Sequence, residues 1–90
     1  MPEASFTVPN PLGLHARAAA QLVRLASGFK SKILLSRPDT NAFADAKSIL
    51  SVLTLAASMG TVLLVNAEGD DAEEALAAVG QLFAQGFGEI

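Results

Sequence analysis

Ser5-Phe6-Thr7-Val8-Pro9-Asn10-Pro11-Leu12-Gly13-Leu14-His15-Ala16-Arg17-Ala18-Ala19-Ala20 carries a strand, a loop and the start of a helix in one short run. Residues 5–8 alternate polar and apolar, as a half-buried strand does. Pro9, Pro11 and Gly13 end that strand and make a loop. Over residues 16–27 the spacing is helical. Ala19, Ala20, Leu22, Val23 and Ala26 fall on one side, and Arg17, Gln21 and Arg24 on the other. Gly28 is the expected stop. His15 is the only histidine, and it stands at the junction of loop and helix as the expected cap.

Outward from this run the elements follow in order. Residues 32–36 (Lys-Ile-Leu-Leu-Ser) read as a second strand. Residues 37–41 (Arg-Pro-Asp-Thr-Asn) are turn formers. Residues 42–44 make a short return strand. A short helix runs from Ser48 to Thr54 or Leu55. Gly60 breaks the chain, and residues 61–66 are rich in β-branched and aliphatic side chains, the clearest strand of all. Asp71 and Glu74 have capping-box spacing at the head of a last helix. Its apolar face is Ala72, Ala75, Leu76, Val79, Leu82 and Phe83. Gly80 weakens that helix slightly, and Gly86 and Gly88 close it. The order β-α-β-β-α-β-α predicts an α+β fold, a four-stranded antiparallel sheet with three helices on one face.

Ninety residues make one domain, residues 1–90, expected to be a separate protein and a monomer. There is no cysteine, which excludes disulfides and cysteine-based metal sites. No apolar run reaches the ~20 residues of a membrane span, and the first residues do not read as a signal peptide. A cytoplasmic protein is expected, without cofactor or metal. Charge is segregated. Residues 1–47 hold all six cations against three acids, and residues 48–90 hold six acids and no cation. With so few cations and only phenylalanine as aromatic, nucleic-acid binding is not expected. The basic half reads either as a docking face for an acidic protein partner or as an ordinary solvated surface.

Two readings of His15 stand on the residues alone. One is a helix-capping histidine without chemistry. The other is a nucleophile beside an anion-binding corner. A helix start offers unpaired N–H groups, here from Arg17 and Ala18, and a partial positive charge. That corner disfavours the imidazolium, which keeps the nucleophile unprotonated. Arg17 adds charge-assisted hydrogen bonds, so the corner suits a transient phosphoryl group. Ser48 likewise reads as a favoured N-cap or as a modification site.

The short helix carries more apolar surface than one buried face needs. With Ile49 at 0° and about 100° per residue, its apolar arc spans roughly 220°. Val52 and Leu55 are expected to face the core. Ile49, Leu50 and Leu53 are expected to be partly exposed as an interaction surface, rimmed by Arg17, Arg24 and Lys47.

The string Asn10 to Arg17 resembles the active-site motif of the HPr family, the histidine-containing phosphocarriers of the bacterial phosphotransferase system. Ala46-Lys47-Ser48-Ile49-Leu50, with Thr54-Leu55, resembles that family's regulatory-serine segment. Gly60-Thr61-Val62 and Ala67-Glu68-Gly69-Asp70 match further along, so the resemblance spans nearly the whole chain. It implies the HPr-like open-faced sandwich and a relay. Enzyme I passes a phosphoryl group to His15, on Nδ1, with Arg17 stabilising it. His15 passes it to an enzyme IIA component for sugar uptake or regulation. The chain is then a carrier and not a free-standing enzyme. A dedicated kinase is implied for Ser48, whose phosphate would repel an acidic partner. The alternative is a regulatory binding module controlled through Ser48. One departure is Ala18, where the family usually has proline. It implies altered local rigidity or partner choice, not loss of phosphorylation.

Overall fold

Alternation along each strand decides which side of the sheet is dry. The computed structural model describes residues 2–89, with β1 (Glu3–Thr7), α1 (Ala16–Ser27), β2 (Lys32–Arg37), β3 (Ala42–Asp45), α2 (Ile49–Thr54), β4 (Val62–Glu68) and α3 (Ala72–Ala84). The sheet is antiparallel in the order β1-β4-β2-β3. Ile33 and Leu35 of β2 and Leu63, Val65 and Ala67 of β4 are buried. Leu35 lies opposite Val65 and Ala44, and Ile33 opposite Ala67. The helices cover this face with Ala18, Ala19, Leu22 and Ala26 of α1, Val52 of α2, and Ala72, Ala75, Val79 and Phe83 of α3. The other face keeps residues such as Ser5, Thr7, Ser36 and Asn66. The expected α+β order is therefore the observed one, with strand ends shifted by one or two residues.

Two expectations at α3 need correction. The capping box does not form, because Asp71 makes no side-chain bond to its own helix. Its carboxylate reaches across to the loop before β2. Oδ2 accepts the Lys30 N–H at 2.9 Å, and Oδ1 accepts the Ser31 N–H at 2.9 Å and the Ser31 hydroxyl at 2.5 Å. These bonds, the Ser31 hydroxyl foremost, pull the Asp71 carboxyl down to about 2. Gly80 is also more than a weak spot. A Cβ there would stand 2.9 Å from two ring atoms of Phe6. The glycine lets that ring lie on α3 and stack on Phe83 at 5.4 Å.

After α3 the chain turns through a 3-10 segment, Gly86–Gly88. Phe87 is buried, has a positive φ of 56°, and meets Phe83 edge-on at 5.0 Å. The Gln21 side chain on α1 donates to the Phe87 carbonyl at 3.1 Å. These contacts hold the C-terminal segment against α1 and α3.

Candidate functional site

The loop from β1 to α1 is built by backbone bonds that any residue can make, plus one glycine. Gly13 N–H donates to the Asn10 carbonyl at 3.0 Å, and Leu14 N–H to the Ala57 carbonyl at 2.8 Å. Gly13 has φ +67°, and a Cβ there would come 2.5 Å from the Ala57 oxygen. Only glycine lets the loop rest on the segment after α2. That segment is itself held in place. Ala56 has φ 51°, and Arg37 donates from one guanidinium nitrogen to the carbonyls of Leu55 at 2.9 Å and Ala56 at 3.0 Å. Leu14 is buried, so the chain arrives at residue 15 anchored on both sides.

His15 caps α1 with extended backbone, φ −75° and ψ −177°. Its Nδ1 accepts the Arg17 N–H at 3.4 Å. The helical ladder begins with Ala19 N–H to the His15 carbonyl at 2.8 Å, which leaves the N–H groups of the first turn facing outward. The His15 ring is 27% exposed. On its other edge Nε2 lies 2.5 Å from Oε2 of Glu89. Oε1 of Glu89 accepts from Asn10 Nδ2 at 2.8 Å. The hydrogen bonds from Asn10 and His15, with Arg17 adding a weaker pull, hold the Glu89 carboxyl below the usual carboxylate range.

Each residue picked from sequence has a defined place. Arg17 is exposed at the first turn, and Ala18 is buried one position on. Arg24 is exposed on α1. Ser48 caps α2, with Oγ accepting the Ser51 N–H at 3.3 Å. Ile49 is 39% and Leu50 74% exposed, Leu53 is half-buried, and Val52 and Leu55 are buried, as the helical wheel requires. Lys47 is half-buried, and its ammonium donates to the Phe29 carbonyl at 2.7 Å, so it is partly a structural tie and not simply a rim charge.

Sequence reasoning missed three contributors. Glu89 is 74 residues from His15 along the chain and belongs to no motif. Leu12 (67% exposed) and Met59 (57%) extend the apolar surface around the loop. Leu12 lies inside the quoted string, between Pro11 and Gly13, in the stretch the sequence marks as a loop. Nothing in the sequence pointed to Glu89 except a carboxylate after a glycine-rich end.

The family described as the PTS HPr component phosphorylation site matches residues 2–85. The phosphocarrier protein HPr of Xylella fastidiosa is 46% identical over 89 residues, covering 99% of this chain and 98% of that one. The phosphocarrier protein NPr of Escherichia coli K12 is 44% identical over 82 residues, covering 91% and 90%. The crystal structure of HPr-C-His from Thermoanaerobacter tengcongensis superimposes with a TM-score of 0.94 at 42% identity, covering 100% of this chain and 99% of that one.

Proposed function

This chain belongs to the PTS HPr family, and from that premise we propose that His15 accepts a phosphoryl group from phospho-enzyme I and hands it to an enzyme IIA component for sugar uptake or regulation. The observation that carries the reading is the position of Nδ1. It faces the outward N–H groups of the α1 start, where an incoming phosphoryl group meets donors and a partial positive charge. The 3.4 Å contact from Arg17 N–H is long enough to be given up easily, and the same N–H can then serve a phosphoryl oxygen. Arg17 is exposed beside it and adds its guanidinium, while Ala18 adds an N–H.

In the transfer, the N–P bond of the donor's phosphohistidine breaks and its electron pair returns to the donor ring. The Nδ1 lone pair of His15 forms the new N–P bond. No proton need leave the His15 ring at that moment. The carrier releases the group by the same step in reverse, toward the acceptor. Docking uses the exposed apolar side chains of α2, Ile49 and Leu50, and the half-buried Leu53, with Leu12 and Met59 also exposed and Arg17, Arg24 and Lys47 supplying positive charge for an acidic partner. This reading takes the chain as a monomer. Ser48 sits at the edge of the same helix, so a kinase that phosphorylates it would set about −1.5 to −2 charge against an acidic partner.

The test is incubation with phosphoenolpyruvate and active enzyme I, read by intact mass. Wild type gains one acid-labile phosphate. His15→Ala gains none while keeping its melting transition. A phosphate retained by folded His15→Ala would overturn the assignment.

A further inference from the structure

The protonation pattern around His15 is dictated from both edges of the ring. Asn10 is wholly buried, and its Nδ2 donates to the Gly13 carbonyl at 2.9 Å and to Oε1 of Glu89 at 2.8 Å. Both partners are acceptors only, so the Asn10 amide cannot turn without setting its oxygen against them. Glu89 therefore has one oxygen engaged by Asn10, and the other faces Nε2 of His15 at 2.5 Å. An ionised carboxylate accepts only, so Nε2 must carry a proton. From the opposite edge, a backbone N–H faces Nδ1, which must then offer its lone pair. A neutral imidazole with one proton satisfies both contacts in a single tautomer.

We infer that Asn10 and Glu89 form a positioning pair that fixes the proton of His15 on Nε2 and thereby makes Nδ1 the nucleophile. The pair has a second effect during transfer. As the Nδ1–P bond forms, the ring keeps its Nε2 proton and gains positive charge. The Glu89 carboxylate sits where that charge develops. Glu89 is held there by the buried Phe87 and by the Gln21 bond to the Phe87 carbonyl. The short C-terminal segment is thus part of the phosphoryl site. This inference deepens the phosphocarrier reading and rests on it only for its kinetic consequence.

Two variants separate positioning from packing. In Glu89→Gln, Asn10 still donates to the side-chain oxygen, so the new NH2 group faces Nε2. That donor draws the lone pair to Nε2 and moves the ring proton to Nδ1, which blocks the nucleophile. Glu89→Ala removes the carboxylate and lets water serve either nitrogen. We therefore expect the closer match in shape to be the worse carrier. Phosphoryl acceptance from enzyme I in Glu89→Gln falls by at least about tenfold, the scale of one charge-assisted hydrogen bond, and falls below that of Glu89→Ala. Nitrogen-15 spectra of His15 show the proton on Nε2 in wild type and on Nδ1 in Glu89→Gln, with melting curves confirming that all three proteins are folded. Glu89→Gln accepting as fast as wild type, or faster than Glu89→Ala with its proton still on Nε2, would overturn the inference. If active enzyme I leaves wild type unphosphorylated, the phosphocarrier reading falls, and the nitrogen-15 spectra still decide whether the pair sets the tautomer.

Discussion

Asp71 is a carboxylate that left the role its sequence neighbourhood suggested, and Glu89 is one for which the sequence suggested no role. Asp71 precedes a helix and has a glutamate three positions on, yet the donors it meets belong to Lys30 and Ser31, about 40 residues away. Three donors in a turn outcompete one N–H of its own helix. Because its carboxyl lies at about 2 in the folded chain against an ordinary 3.8, Asp71 contributes stability that is complete above roughly pH 4 and is lost as the pH falls toward 2. Asp71→Asn should melt below wild type at pH 7, and the gap should close between pH 4 and pH 2. A gap that persists unchanged at pH 2 would show that the carboxylate charge is not what these bonds use. His15 itself was legible from composition and position, since a lone histidine at a loop–helix junction stands out. Its partner Glu89 was not, because tertiary folding alone brings residue 89 to residue 15.

At the scale of elements, periodicity revealed the helices and strands because each buries one face. Ala18, Ala19, Leu22 and Ala26 of α1 recur at helical spacing, and β4 alternates buried and half-buried residues along its middle. α2 was legible for the opposite reason, as its apolar arc is too wide for one buried face. Gly80 was misread, since helix propensity describes a helix by itself and Phe6 comes from another element. Propensity favours Gly80→Ala by about 1 kcal/mol. Overpacking against the Phe6 ring at 2.9 Å costs about 1–3 kcal/mol. The second effect wins, so Gly80→Ala should lower stability by about 1 kcal/mol in urea denaturation. A raised midpoint would mean that the ring moves aside without cost. The stop at Gly86 and Gly88 was legible, but the conformation of Phe87 between them was not, because its φ of 56° depends on burial of its ring in the core, which offsets the strain.

Across the whole molecule, the order β1-β4-β2-β3 was not readable strand by strand, since pairing between β1 and β4 joins residues some 60 apart. The resemblance that spans the chain implied the open-faced antiparallel sandwich but not the order of its strands, which the structure supplies. What the assembled fold adds is a surface. Leu12, Ile49, Leu50 and Met59 are exposed around the His15 loop, and among the described residues no helix is long and apolar enough to cross a membrane. An apolar side chain left 74% exposed has little part in stability, so Leu50→Glu should change unfolding by no more than about 0.5 kcal/mol. As a central docking residue it should weaken enzyme I binding about tenfold, measured by titration calorimetry. Unchanged affinity would move the docking surface away from α2.

The most direct test of the account follows the phosphoryl group through the molecule. The protein, charged with labelled phosphate by enzyme I and phosphoenolpyruvate and then separated from both, is mixed with an enzyme IIA component. The account predicts that the label sits on Nδ1 of His15 at the start and appears on the IIA component as it leaves the carrier. Label that never enters, or that leaves His15 only as inorganic phosphate with active IIA present, would contradict it.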